Sequence, residues 1–234
     1  MILPQWYPPI LAYHRVHPTL GSDTPTLAPE IFERQMEILS RKWNPVPLSV
    51  LVSWLDGAAP LPHRAVVVTL DDGTDDTFSY AFPILKRYRI PAMIFMIAHH
   101  LDKNGSLRRE QVLEMSQAGI DFGSHTLSHA YLPSLSSVEV SRQLVESKKI
   151  LESLGCPIRH FSYPAGGFTL SIIDAVQKAG YQSACTTNRG FRRFPIDRWA
   201  LRRTTMHQKA SSDFGIWLRC CGYDGLNRRL RSPA

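Results

Sequence analysis

The sequence predicts an α/β fold in which strand–helix units repeat to form a barrel, complete or incomplete, rather than an open doubly wound sheet. Apolar periodicity switches repeatedly between a strand pattern and a helix pattern, which implies parallel strands joined by helical crossovers. About seven such units fit into one domain of 234 residues. No glycine-rich fingerprint follows a strand, which argues against a dinucleotide-binding fold.

The first half of the chain supplies three predicted strands and four predicted helices. Ala65–Leu70 is a β-branched run without polar alternation, as in a strand that is buried on both faces. Pro29 suits the first turn of a helix, and Gly57 and Gly119 suit helix ends. The predicted strands are Ile10–Tyr13, Ala65–Leu70 and Ala92–Ile97, and the predicted helices are Pro29–Leu39, Ser49–Leu55, Thr77–Tyr88 and Leu107–Ala118.

The second half continues the alternation. A capping box at Ser136–Glu139 opens a long helix that runs to about Leu154. Trp199–Thr205 is predicted as one further strand, and the stretch from Ser211 onward mixes helix formers with glycines and receives no assignment. The other predicted elements are the strands Ile120–Gly123, His160–Tyr163 and Tyr181–Cys185 and the helix Leu170–Ala179.

The chain is basic, with 27 Lys and Arg against 20 Asp and Glu and a formal net charge of +7. Many of the arginines fall into two clusters, and clustered positive charge suits acidic glycans, an anionic lipid surface or nucleic acid. The favoured interpretation is a solvated face. No nucleic-acid-binding signature accompanies the charge, so no nucleic-acid partner is expected, and the oligomeric state is not predicted. The clustered residues are Arg189, Arg192, Arg193, Arg198, Arg202 and Arg203, followed by Arg228, Arg229 and Arg231.

Targeting signals are not visible in the sequence. The longest apolar run, Ala92–Ala98, is far shorter than the roughly 20 residues of a spanning helix. The N-terminal stretch Met1–Pro9 lacks the basic and apolar regions of a signal peptide. The four cysteines form no CxxC pair, which favours a reducing compartment. We therefore expect a cytoplasmic location or a peripheral association with the inner membrane.

Two groups of chemistry-bearing residues follow predicted strands. Asp71 and Asp72 come at the end of one strand, where adjacent carboxylates point in different directions and can take different roles. His125 and His129 follow another, and in a helical turn their spacing places both imidazoles within reach of one ion, with Asp72 as the natural third ligand. The alternatives are a polar Asp-Gly turn and two surface histidines.

Two more strand ends carry residues of a functional type. Phe161–Gly167 contains a Pro and a Gly-Gly pair, a turn whose backbone N–H groups can approach a substrate oxygen. His14 ends the first strand, and taken alone it is a structural histidine. Since barrels build active sites at the carboxyl ends of their strands, the convergence of four such ends favours one site.

These motifs resemble a known family. Thr69–Gly73, the His125/His129 pair and Phe161–Pro164 are similar to the first three motifs of the polysaccharide deacetylase family, carbohydrate esterase family 4 with its NodB homology. Ile10–Val16 and Phe32–Met36 resemble the branch of exopolysaccharide, or poly-N-acetylglucosamine, deacetylases. The resemblance implies a distorted, incomplete (β/α)7–8 barrel. It implies a single catalytic domain over 1–234, with core motifs at 65–205 and the elements of 9–60 in the same domain.

The resemblance also implies roles for five residues. Asp71 is the general base, while Asp72, His125 and His129 hold one divalent metal ion. The backbone N–H of Tyr163 helps to hold the oxyanion. Zinc is the default ion for an Asp-His-His set, and cobalt or nickel are alternatives.

The general acid is open between two histidines. His14 is the first candidate, because in this branch the histidine of the N-terminal Tyr-His element can stand near the metal. His207 is the rival, since Met206-His207 is the nearest match to a late Leu-x-His motif that is otherwise missing. The family's arginine before the third motif is replaced by His160, next to Arg159. Asp197 and Arg203 are candidates for the charged partners that orient the base.

The expected activity is therefore hydrolysis of N-acetyl groups on the amino sugars of a polysaccharide or its precursor, so the expected partner is an N-acetylated glycan. A water activated by the ion attacks the acetamide carbonyl, with Asp as base and His as acid. One alternative is an O-acetyl esterase or small-amide hydrolase with the same site. A second is a non-catalytic glycan-binding partner in polysaccharide synthesis.

Overall fold

Strands and helices alternate along the chain in the computed structural model, which describes residues 8–20, 24–187 and 197–221. The described strands are Ile10–Tyr13 (β1), Arg15–Val16 (β2), Thr26–Leu27 (β3), Asn44–Pro45 (β4), Ala65–Asp72 (β5), Ala92–Met96 (β6), Asp121–Ser124 (β7), His160–Ser162 (β8), Ser183–Thr186 (β9), Leu201–Arg202 (β10) and Thr204–Thr205 (β11). The described α-helices are Pro29–Lys42 (α1), Leu48–Leu55 (α2), Phe82–Arg87 (α3), Arg109–Gln117 (α4), Ser137–Glu152 (α5), Leu170–Lys178 (α6) and Asp213–Cys220 (α7).

The main sheet is parallel and nearly closed. Its order is β10-β9-β8-β7-β6-β5-β1-β11, with β4 paired to β5, while β2 and β3 pair separately. The two edge strands are neighbours in sequence, since only Arg203 lies between β10 on β9 and β11 on β1. The segment 201–205 therefore joins the two edges, and the expected distorted α/β barrel is confirmed.

Alternation along β5 separates the two faces of the sheet. Val66, Val68 and Leu70 belong to the large hydrophobic core that the surrounding helices share. Ala65 and Val67 belong to a second core inside the barrel, together with residues of α2. Because β4 pairs with the first residues of β5, α2 covers the amino end of this interior, and the carboxyl end is left for the site.

Local structure differs from the sequence-based expectation in several elements, and the predicted strand Trp199–Thr205 is the two short strands β10 and β11. The predicted helix Thr77–Tyr88 is a π-helical turn over Thr77–Ala81 followed by α3, because Pro83 has no N–H to continue a regular ladder. The strands β2, β3 and β4 were not predicted, since two residues carry no periodicity. The unassigned C-terminal stretch contains α7.

The basic clusters need a correction. Arg203 is buried and cannot belong to a solvated face, and Arg198 pairs with Asp56 at 2.6 Å. Residues 1–7, most of the N-terminal stretch that lacks signal-peptide features, lie outside the described residues. The same holds for six of the clustered arginines, namely Arg189, Arg192, Arg193, Arg228, Arg229 and Arg231. Across the described segments, none of the helices combines the length and apolar character that a membrane crossing requires.

Candidate functional site

Asp72, His125 and His129 converge at the carboxyl end of the sheet. The Oδ1 atom of Asp72 lies 3.7 Å from the Nε2 atom of each histidine. One ligand atom from each of the three residues lies within 4.8 Å of the others. The two imidazole rings are 4.9 Å apart between centroids. This is the spacing of a site that can hold one cation.

The histidines reach this arrangement through a turn rather than the helical turn that their spacing suggested. Thr126 and His129 have φ values of 69° and 60°, in the left-handed region that a continuing helix does not use. The His125 N–H donates to the Met96 carbonyl at 2.7 Å. The side-chain oxygen of Gln143 in α5 accepts hydrogen bonds from the N–H groups of Leu127 and Ser128, at 3.1 Å each.

The donor set fits a metal ion. Asp72 Oδ1 is a buried carboxylate oxygen without a hydrogen-bond partner among the described residues. The Nδ1 atom of His125 lies 2.8 Å from the Ser162 carbonyl, which fixes the ring and leaves Nε2 for a ligand bond. Burial lowers the pKa of His125, which favours the neutral imidazole that a metal requires. Two imidazoles and one carboxylate form a set typical of catalytic zinc.

Asp71 points into the barrel, on the opposite side of the strand from Asp72. Arg203 donates to both of its carboxylate oxygens, at 2.7 and 2.6 Å. The same guanidinium also donates to the hydroxyls of Thr69 and Ser162. Burial raises the pKa of Asp71, but the charge of Arg203 outweighs it and holds the pKa well below its usual range. Asp71 is therefore ionised and fixed in orientation.

His14 lies beside Asp71, with its Nε2 atom 3.9 Å from Oδ2 of the carboxylate. Its Nδ1 atom is buried without a partner among the described residues, and the side chain is 21% exposed. The next two residues are held by Asp76, which accepts from the Arg15 side chain at 3.2 Å and the Val16 N–H at 3.1 Å. The structure thus places His14 next to Asp71, the predicted base.

His207, the rival acid, is placed differently. Its Nε2 atom contacts the guanidinium of Arg219, which also donates to the Thr205 carbonyl at 2.7 Å. The His207 carbonyl accepts from Gln35 of α1. An imidazole nitrogen that accepts from an arginine has no proton of its own to give from that atom.

The predicted oxyanion role of the Tyr163 N–H is wrong. This N–H donates to the Cys185 carbonyl at 3.0 Å, between β8 and β9, and the Tyr163 hydroxyl donates to the Trp199 carbonyl. In the turn that follows, Pro164 has no N–H, and Gly166 donates to Tyr163. Ala165, with φ 52°, carries the one N–H of 163–167 without a hydrogen-bond partner among the described residues.

The other proposed partners of Asp71 do not reach it. Asp197 is exposed and accepts from the Trp199 N–H at 2.8 Å. His160 is buried, with Nδ1 at 2.9 Å from the Ser183 hydroxyl, and burial lowers its pKa to about 4. Arg159 is exposed. Of the candidates for orienting the base, Arg203 alone contacts it within the described part of the chain.

Sequence reasoning missed one further residue near the triad. His100 follows β6, the strand between those that supply Asp72 and His125, and the charges of Asp72 and His129 act on it. The N–H groups of Ala98 and His99 donate to the carbonyls of the His125–His129 turn, at 3.1 and 2.8 Å. The missed signal was its position four residues after the end of the apolar strand β6.

The amino-acid sequence matches a family model and several curated relatives. The sequence model of the polysaccharide deacetylase family matches residues 58–184, just over half of the chain. YxkH of Bacillus subtilis, named as a polysaccharide deacetylase, is 33% identical over 158 residues, covering 67% of this chain and 57% of its own. The poly-beta-1,6-N-acetyl-D-glucosamine N-deacetylase of Staphylococcus epidermidis is 33% identical over 141 residues, covering 53% and 48%.

A solved structure shows the same fold over nearly the full chain. The Streptococcus pyogenes deacetylase PplD superimposes with a TM-score of 0.85 at 22% identity, covering 93% of this chain and 99% of that one. The chain spans only about half the length of the curated relatives that it matches. The match to the family model, carried by the segment that contains Asp71, Asp72 and both histidines, shows that the chain belongs to the polysaccharide deacetylase family.

Proposed function

We propose that this protein hydrolyses the N-acetyl groups of amino sugars in a glycan or its precursor, using one divalent metal ion. The observation that carries the proposal is the unpartnered Asp72 Oδ1 facing two histidine Nε2 atoms at 3.7 Å, next to a second aspartate held by Arg203. Asp72, His125 and His129 would hold the ion. Zinc suits this set best, and cobalt or nickel can replace it.

An ion held by Asp72, His125 and His129 would supply Lewis acidity and would make a nearby water a better nucleophile at neutral pH. Asp71 takes the proton of the attacking water, and Arg203 keeps both carboxylate oxygens in place during that transfer. Because Arg203 holds the pKa of Asp71 well below its usual range, Asp71 does not keep this proton but passes it to His14, which gives a proton to the departing nitrogen. The Ala165 N–H donates to the carbonyl oxygen of the acetyl group as negative charge develops there.

His14 protonates the departing nitrogen in this scheme. Its Nε2 atom is 3.9 Å from Asp71, so acid and base share one cluster. Cleavage of an amide depends on this step, since an amine anion is a far worse leaving group than an alkoxide. An O-acetyl ester would need His14 much less, which makes the residue a test between the two substrate classes.

The proposal is tested by acetate release from a panel of N-acetylated oligosaccharides, with and without a chelator. We expect release that the chelator abolishes and zinc restores. Acetate release only from O-acetylated sugars would favour the esterase alternative. Glycan binding without any release, in protein that has been loaded with metal, would favour a non-catalytic role.

A further inference from the structure

An exposed aromatic residue follows the turn that carries His125 and His129. Tyr131 lies two residues after His129, and 51% of its surface is exposed. We propose that Tyr131 is a sugar-binding platform, which stacks on the pyranose ring next to the amino sugar that is deacetylated. This inference rests on the proposed function, since it takes a glycan as the substrate.

The backbone beneath Tyr131 is fixed. Its carbonyl accepts two hydrogen bonds from Ser134, from the N–H at 3.1 Å and from the hydroxyl at 2.8 Å. The next residue, Leu132, is fully buried in the main core. The ring therefore extends from a held segment that also carries a proposed metal ligand.

The ring rests on the turn that carries the proposed oxyanion donor. A Cβ atom placed on Gly167 would lie 2.3 Å from Cε2 of Tyr131 and 2.8 Å from Cζ, so the ring is packed directly against the Gly167 backbone. Gly167 is two residues from Ala165. Tyr131 thus connects the loop of His129 with the turn of Ala165, and half of its surface is exposed to solvent.

The chemistry of this surface suits a sugar. A pyranose ring has an apolar face of C–H groups, which packs on the face of an aromatic ring, and a rim of hydroxyl groups. The Tyr131 hydroxyl has no hydrogen-bond partner among the described residues, so it is available to that rim. Tyrosine also has few rotatable bonds, so little conformational entropy is lost when it binds.

The test compares Tyr131→Ala and Tyr131→Phe with Val138→Ala, a matched control at an exposed apolar residue on α5. The probes are a β-1,4-linked N-acetylglucosamine tetramer and 4-nitrophenyl acetate. For Tyr131→Ala we expect the KM of the tetramer to rise roughly 10-fold while kcat changes by less than about 2-fold, as for a lost binding contact. Tyr131→Phe keeps the ring, so its KM for the tetramer should stay within about 3-fold of the parent value.

Gly167→Ala supplies a second route to the same effect. Its added Cβ must displace the Tyr131 ring, so we expect a similar rise in KM. In the Tyr131→Ala background the same change meets no ring and should add less than about 2-fold, as residues in direct contact are not additive. Additive losses, or an unchanged KM in Tyr131→Ala, would overturn the platform.

Calorimetry separates this inference from the proposed function. Binding of the tetramer is measured in the Asp71→Asn background, where turnover does not interfere. Binding that Tyr131→Ala weakens roughly 10-fold, in a protein whose parent releases no acetate, supports the platform and contradicts the deacetylase. Acetate release with a KM and Kd that Tyr131→Ala leaves unchanged supports the deacetylase and overturns the platform. Absence of both binding and release contradicts both.

Discussion

Asp71 and Asp72 are neighbours in sequence with opposite surroundings. Asp71 is 2% exposed and paired with Arg203, while Asp72 turns toward the two histidines with a φ of 74°. Alternation along the strand directs Asp71 into the barrel and Asp72 to the other side, and the left-handed φ of Asp72 accompanies the turn of its carboxylate toward the histidines. The difference in their proposed roles therefore follows from the backbone and predicts different responses to substitution.

Removal of one histidine should release the metal. His129→Ala deletes one of three protein ligands, and we expect metal affinity to fall by at least about 100-fold, more than the loss of a supporting contact causes. Metal content after dialysis, measured by elemental analysis, checks this. A stoichiometric ion in the variant would show that His129 is not a ligand.

Asp71→Asn should leave the metal in place. The amide keeps the shape of the carboxylate but cannot take the proton, so activity should fall by about 10²-fold or more. Metal content and the temperature of unfolding are the controls, since Arg203 loses part of its partner. Loss of the ion in this variant would mean that the roles of the two aspartates are reversed.

The two acid candidates respond differently to the nature of the leaving group. His14→Ala should lower turnover of the amide far more than turnover of an activated acetyl ester, with the metal still bound, because the ester needs no protonated leaving group. His207→Ala should leave the amide-to-ester ratio of kcat/KM within about 3-fold. The reverse pattern would make His207 the acid.

At the scale of the element, α5 supports the loop that carries the proposed metal ligands His125 and His129. Gln143 accepts from two N–H groups of the His125–His129 turn, so Gln143→Ala leaves both without their partner. We expect metal affinity to fall by about 10- to 100-fold while the far-ultraviolet spectrum is unchanged. A control is Glu146→Ala on the exposed face of the same helix, which should bind metal normally. Equal affinities in the two variants would contradict this account.

Long elements were predictable from the sequence, and special backbone was not. The buried run at Ala65–Leu70 and the capping box at Ser136 carry their structure locally, and both elements are present. The left-handed residues Thr126 and His129 are neither Gly nor Asn, so residue propensities do not predict the turn that replaces the expected helical turn. Ala165 is also left-handed without being Gly or Asn, so its backbone was missed too. Its free N–H could not be predicted either, because it depends on which neighbouring N–H groups already have partners.

At the scale of the whole molecule, His160 makes stability depend on pH. Burial lowers its folded-state pKa to about 4, whereas in the unfolded chain it titrates near 6.5. Between these values the unfolded state binds the extra proton, so the free energy of unfolding falls as pH drops from about 6.5 to about 4, by about 3 kcal/mol in total. Denaturant unfolding of the metal-free protein at several pH values measures this.

His160→Asn is the comparison for that measurement. Asparagine keeps a hydrogen-bonding group near Ser183 but has no proton to gain. The stability difference between parent and variant should therefore shrink or reverse by about 3 kcal/mol between pH 7 and pH 4. Parallel curves over that range would assign the acid sensitivity to other groups.

The segment that joins the two sheet edges also sets the order in which the molecule can be completed during synthesis. The ribosome makes Asp71 132 residues before the arginine that balances its charge. Until Arg203 emerges, a barrel closed around Asp71 would hold an uncompensated anion in its interior, at a cost of several kcal/mol. The nascent chain can therefore form its strands and its metal ligands early, but the enclosed interior and the charge pair of the site must arise together, as one late event.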